Sequence, residues 1–277
     1  MNIFGSRRRN GSSRLTRPPL ARATDLFLEG SYAEAEAEAR SVARTWEWRR
    51  NDSTAPLARQ LAAMAAGAQG RRDEALAMYD ELLPVFGGLF GAEHVQTLKL
   101  RSDRAQTLTA LGRHAEAEAE CAAVARAAAG GTDPGAPLLV AAARNGQVYA
   151  LNAQDRPAEA EAVAREALAD QGTTERFAVV LRLGLARALT AQGRHDEALA
   201  EAERAAAIHG DLPEGGQGRL ENGAIDVVTA TVLLNLGRTA EARTRATAAH
   251  TTCLSTFGPT HYRTQEAAAL LTRIPEI

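Results

Sequence analysis

The stretch LGRHAEAEAECAAVAR, residues 111–126, holds one glycine, little bulk and an alternation of Ala and Glu. No catalytic group stands out in it, and its meaning comes from its copies, because a fixed-period echo outranks any local reading of structure. GSYAEA starts at Gly30, GRRDEA at Gly70, GRHAEA at Gly112, DRPAEA at Asp155, GRHDEA at Gly193 and GRTAEA at Gly237. Successive copies are offset by 40, 42, 43, 38 and 44 residues, which marks a repeat with elastic loops. Four and seven positions after the final Ala of each copy come further small or apolar residues. The sets are Ala35/Ala39/Val42, Ala75/Tyr79/Leu82, Ala117/Cys121/Val124, Ala160/Ala164/Ala167, Ala198/Ala202/Ala205 and Ala242/Ala246/Ala249. Spacings of four and three trace one face of a helix, and a face this small lets another helix come close.

The first residue of each copy is the joint of a helical hairpin. Glycine enters the left-handed conformation that commonly ends a helix without steric cost, and Asp tolerates it better than most, so Asp155 is an acceptable substitute. Upstream of the joints lie apolar helical patterns such as Ala105, Leu108 and Leu111, or Leu185, Ala186 and Leu189. Pro157 falls in the first turn of its helix, where a missing N–H costs nothing. Two helices per period predict an all-α fold: an α-solenoid of about six helix-turn-helix repeats with a closing C-terminal helix. The expected organisation is a disordered basic N-terminal segment over 1–18, the solenoid over 19–273 and a C-terminal tail over 274–277. A solenoid grows by adding repeats, so the length calls for no second globular domain.

On these residues the chain resembles tetratricopeptide repeat (TPR) proteins, in their longer-period, kinesin-light-chain-like version. The resemblance rests on the Gly-x-x-x-Glu-Ala turns and on the ladder of small residues that follows each. It rests also on FGAEHVQT (90–97) and FGPTHYRT (257–264), which share the form F-G-x-x-H-x-x-T. The octets are 167 residues apart, as are Gly70 and Gly237, so each begins 20 residues after its joint. The chain departs from the family in replacing most of its aromatics by Ala, with Tyr79 the main survivor in a second helix, and in an irregular first helix of the first repeat. The resemblance implies a concave groove lined by first helices, which takes extended peptides or partner helices, with second helices facing outward. It therefore implies a non-enzymatic protein- or peptide-binding scaffold or adaptor. Two other readings stand beside it: a peptide-sensing regulatory module controlling a partner protein, and an accessory or catalytic component of a biosynthetic pathway.

Composition narrows the classes further. Aromatics make up only 4% of the chain, as close helix packing through alanine requires. No apolar run approaches the roughly 18 residues a membrane span needs, and no apolar stretch of a signal peptide opens the chain, so a cytoplasmic protein is expected. Residues 1–24 carry +6, so that with a total of −2 the remainder carries −8. One arginine cluster without stacking aromatics is a weak footprint for nucleic acid, which is not expected as a partner. Cys121 sits in the packing ladder and Cys253 near the last joint, and both read as structural thiols. His114 and His195 share one slot of the repeat and His94 and His261 another; such equivalent residues lie far apart along a solenoid and cannot share a metal. No C-x-x-C, H-E-x-x-H, G-x-S-x-G or phosphate-loop pattern occurs. No catalytic residue, metal or cofactor is expected.

Eleven residues before successive joints stand Arg59, Arg101, Arg144 and Arg182, with Asp226 in the sixth repeat and Pro19 in the first. Two readings of this row stay open. It grips an acidic segment or a C-terminal carboxylate, or it pairs with Glu74, Glu116, Glu159 and Glu197, the glutamates before each motif Ala. Beside the row the groove is expected to carry Gln60, Ser102, Asn145 and Tyr149, with Gln106, Thr109, Asn152, Arg187 and Thr190 further along the same helices. The resemblance implies that Asn145 hydrogen-bonds a ligand backbone. Trp46 and Trp48, two apart, cannot share a helical face, so one of them is expected at the surface.

Overall fold

The computed structural model describes residues 18–49, 52–170, 174–212, 223–259 and 261–275. The segment expected to be disordered over 1–18 lies outside these up to residue 17, as do the last two residues of the expected tail. Among the described residues are thirteen α-helices and no strand. The helices are α1 (Ala21–Leu28), α2 (Tyr32–Trp46), α3 (Thr54–Ala68), α4 (Arg72–Phe90), α5 (Val95–Ala110), α6 (His114–Ala129) and α7 (Ala136–Ala153). They continue as α8 (Pro157–Ala169), α9 (Glu175–Ala191), α10 (His195–Asp211), α11 (Ala224–Asn235), α12 (Thr239–Phe257) and α13 (Tyr262–Arg273). The architecture is an all-α solenoid of helical hairpins. The chain forms two compact units, one ending at Arg71 and one from Arg72 to Ile277.

In the first unit α2 packs on both α1 and α3. Ala23, Ala35, Ala39, Ala58 and Ala62 are fully buried, so the helices meet almost backbone to backbone. Val42 is only half-buried and Ala43 turns inward in its place. Trp48 is the exposed tryptophan, at 73%, and Trp46 is half-buried; the Arg49 guanidinium lies 4.2 Å from the centre of the Trp46 ring and 5.0 Å from that of Trp48.

In the second unit the first helices stack in order, α5 on α7, α7 on α9, α9 on α11 and α11 on α13; α4 packs on α5, and α6, α8, α10 and α12 each pack against the first helices on either side. The ladder positions read from the sequence are buried in every hairpin of this unit, from Ala75, Tyr79 and Leu82 to Ala242, Ala246 and Ala249. Gly146 and Gly184 mark close approaches inside the helices α7 and α9. A Cβ at Gly146 would stand 2.7 Å from Cys121 Sγ, and one at Gly184 would stand 2.6 Å from Val148 Cγ1. Ile274, at the start of the expected tail, is buried with Leu270 against the last hairpin.

All six joints close in the same way. Gly30, Gly70, Gly112, Gly193 and Gly237 have φ between +74° and +87°, and Asp155 has φ +56°. The N–H after each joint donates to the carbonyl five residues earlier, as from Arg113 to Leu108 at 2.9 Å and from Arg156 to Leu151 at 3.0 Å. This is the Schellman closure, which satisfies carbonyls a helix end would otherwise leave bare.

Candidate functional site

The arginine row reaches across its own hairpins. Arg101 on α5 donates to Glu120 on α6 at 2.6 Å, Arg144 on α7 to Glu166 on α8 at 2.8 Å, and Arg182 on α9 to Glu201 on α10 at 2.5 Å. In the first unit Arg59 is ion-paired with Glu47. In the sixth hairpin the signs reverse, and Arg245 on α12 donates to Asp226 on α11 at 3.0 Å.

Glu116, Glu159 and Glu197 are engaged elsewhere, which corrects, for these three, the reading in which they pair with the arginine row. Glu116 accepts two hydrogen bonds from Arg113, both at 2.6 Å, and Glu159, Glu197 and Glu241 accept the same pair from Arg156, Arg194 and Arg238. The donor sits only three residues away, in the residue just after the joint. A local fork-to-carboxylate pair needs no long-range reach and holds both charges at the helix start, where an acidic side chain also meets the helix dipole.

A third set of contacts joins neighbouring hairpins. Glu161 on α8 accepts from Gln192 at 2.8 Å and from Arg194 at 2.8 and 2.7 Å, both at the next joint, and from Arg165 on its own helix at 2.8 Å. Burial alone would raise its pKa, but these donors hold the carboxyl down at about 2. Glu36 is held in the same way by Gln69 at 2.8 Å and by Arg71, and its pKa is likewise lowered against the effect of burial.

The two F-G-x-x-H-x-x-T octets form matching helix junctions. Gly91 and Gly258 take φ +103° and +81° after the preceding helix. His94 and His261 cap α5 and α13 by accepting at Nδ1 from the N–H of Gln96 at 3.2 Å and of Arg263 at 3.3 Å. Thr97 and Thr264 donate back to the Gly91 and Gly258 carbonyls at 2.8 Å, and each Phe stacks on its His. These histidines therefore close loops.

Four of the residues expected in the groove converge on one cavity of about 500 Å³ in the second unit. Asn145, Tyr149 and Asn152 line it from α7 and Arg187 from α9, while Arg263 and Glu266 enter from α13. Its apolar lining includes Val180 and Leu183 of α9 and Ala224 and Val227 of α11. Asn152 Nδ2 donates to the Gly184 carbonyl at 3.0 Å and so braces α9. Tyr149 is 48% exposed, with its ring centre 6.5 Å from that of His114. Among the described residues, neither Asn145 nor Arg187 makes a side-chain hydrogen bond to the protein; Arg187 faces Glu266 at 3.6 Å.

The other expected residues stand apart from this cavity. Ser102 is buried on α5, with Gln106 exposed and Thr109 half-buried on the same helix. The Thr190 hydroxyl donates to the Ala186 carbonyl of its own helix at 2.7 Å, and Gln60 is buried on α3. Arg263 and Glu266 were not among the expected residues, because counting back from a joint finds nothing on a helix that no joint follows. The octets hold the missing register: the 167-residue offset places Arg263 over Gln96 and Glu266 over Lys99 of α5.

Neither cysteine has the surroundings of a reactive thiol. Burial pushes the Cys121 thiol up to about 12, and Cys253 is also raised by burial. Among the described residues no group of three His, Cys, Asp or Glu side chains could hold a metal ion, and no helix is long and apolar enough to cross a membrane.

Family models described as tetratricopeptide repeat match residues 53–120 and, separately, 141–166, 179–204 and 224–246, together about half of the chain. A search of the curated proteins gives no match. Among solved structures, the chain is similar to TPR-like repeats of a protein from Podosopora anserina described as a kinesin light chain: 20% identity, 69% of this chain and 92% of that one covered, TM-score 0.58. It is similar also to BtubC (BKLC) from P. vanneervenii, at 18% identity over 87% of this chain and 94% of that one, TM-score 0.56. A third is pilF of Pseudomonas aeruginosa, at 14% identity over 90% and 95%, TM-score 0.54. At these identities the likeness is one of fold.

Proposed function

We propose that this chain, which belongs to the tetratricopeptide repeat family, is a non-enzymatic binding module that holds an acidic or carboxylate-bearing protein or peptide segment in the cavity lined by α7, α9, α11 and α13. Members of the family generally mediate contacts between proteins. The observation that carries the reading is where hydrogen-bonding capacity is left over. Arg101, Arg144 and Arg182 are occupied by glutamates of their own hairpins, whereas the donors of Arg187 and the amide of Asn145 face a common cavity without a hydrogen bond to the protein. Polar groups converging on an apolar recess are the usual make-up of a ligand site. Tyr149 adds a half-exposed aromatic surface with a polar tip, the kind of side chain that carries much of a binding energy. The arginine row serves this site indirectly, by fixing the spacing of the first helices that line it.

A photo-crosslinking amino acid at position 149 should capture a protein or peptide partner from native lysate, and the same group at the exposed position of Glu203 on α10 should not. Arg187→Ala combined with Asn145→Ala should reduce capture more than tenfold while the melting temperature stays near wild type. Equal capture from both positions, or capture indifferent to the double substitution, would remove the assignment.

A further inference from the structure

Resting on that binding reading, we propose that Glu266 occupies from within the chain the place of a ligand carboxylate on Arg187, so that the closing helix α13 latches the cavity until an incoming carboxylate displaces it. Arg187 stands on α9 and Glu266 on α13, and both helices pack on α11, whose Ala224 and Val227 line the cavity with them. The ion pair therefore links the first helix of one hairpin to the helix two first-helix positions further on, past the apolar surface of the one they share.

The pair is poorly made. Its closest approach is 3.6 Å, beyond hydrogen-bonding distance, and the two side chains are 37% and 46% exposed. The structural arginines Arg101, Arg144 and Arg182 hold their carboxylates at 2.5–2.8 Å. Arg187 thus presents a planar fork of N–H donors to a carboxylate that does not complete it. A mobile carboxylate can align with that fork and form two parallel hydrogen bonds, which Glu266, tethered to α13, does not. An exposed, lengthened pair is weak and screened by salt, so exchange is easy. Once Glu266 has left, Arg187 and Arg263 remain as two cationic side chains on the cavity lining, a field suited to an anion. Val180 and Leu183 offer the apolar surface on which the remainder of the ligand would lie.

The test uses the full chain and two probes: an N-acetylated random pentapeptide pool made without Asp or Glu and ending in a free carboxylate, and the same pool amidated at its C-terminus. Methyl signals of Val180, Leu183 and Val227 are followed by NMR during titration. The free-carboxylate pool should shift them and the amidated pool should not. Glu266→Ala and Glu266→Gln should each lower the midpoint concentration at least threefold, and Arg187→Gln should remove the response, with circular dichroism unchanged in all three variants. A midpoint that stays put or rises in both Glu266 variants overturns the latch. If both pools shift the methyls equally, the cavity binds peptides without using a carboxylate, and the latch falls while the binding reading stands. If neither pool moves them in any variant, both fall together.

Discussion

Asp226 and Arg245 form the same ion pair as Arg182 and Glu201 with the charges exchanged: in each hairpin the first residue lies eleven before the joint and the second eight after it, at 3.0 Å and 2.5 Å. The position carries either sign, with the opposite sign on its partner, so what the two hairpins share is the pairing and not the arginine. Burial then grades the strength. Glu201 is 8% and Arg182 26% exposed, against 26% for Asp226 and 56% for Arg245. Arg182→Ala should lower the unfolding free energy by about 1–3 kcal/mol, because a buried carboxylate loses a partner, and Arg245→Ala by less than about 1 kcal/mol. Urea denaturation of the two variants checks the order, and equal losses would contradict it.

Two helical glycines, Gly184 in the middle of α9 and Gly88 in the last turn of α4, should respond oppositely to an added methyl. At Gly184 a Cβ meets Val148 Cγ1 at 2.6 Å, and Val148 is fully buried, so Gly184→Ala should cost about 1–3 kcal/mol. Val148→Ala in the same chain should recover part of that loss. At Gly88 of α4 a Cβ meets nothing within 4 Å, so Gly88→Ala should gain about 0.5–1 kcal/mol through helix propensity. Thermal melts of the three variants decide the matter.

Asp155 is the one joint that is not glycine, and it carries its φ of +56° at a steric cost that glycine avoids. Asp155→Gly should therefore raise stability by about 0.5–1 kcal/mol, and Gly112→Asp should lower it by a similar amount. The check is a pair of melting curves, in which a lower midpoint for Asp155→Gly would count against the joint assignment.

Glu161 should make part of the stability acid-labile. Its carboxyl ionises near pH 2 in the folded chain against an ordinary 4.5, with Gln192, Arg165 and Arg194 outweighing the opposing effect of burial. A folded-state pKa below the unfolded one contributes stability that is fully present above pH 4.5 and is lost as pH falls from 4.5 towards 2. The stability gap between wild type and Glu161→Gln should be widest near neutrality and close across that window. A gap that is flat with pH would show that these donors do not act through the charge.

Much of this molecule is legible in the sequence because its determinants are local. A glycine or aspartate with positive φ every forty-odd residues, followed by small residues at four and seven, sets where each hairpin turns and which face of its second helix is buried. The octets fix the register of α5 and α13, since each contains its own helix stop, its own cap and its own threonine clasp. Asn145, Tyr149, Asn152 and Arg187 are expected in a groove on the strength of the family resemblance; the structure brings the four to one cavity lining, and their role there is what we propose.

What each charged side chain meets on that face was decided only in three dimensions. An arginine reaches far enough to choose among several glutamates, and the row took Glu120, Glu166 and Glu201 because the motif glutamates already had a partner three residues away. The cavity needed more still, since part of its lining comes from a helix without a following joint and includes a pair 79 residues apart, Arg187 and Glu266. Periodicity specifies directions around one helix axis. Which side chains are left with unused hydrogen bonds depends on how several helices, each obeying that periodicity, come to lie against one another.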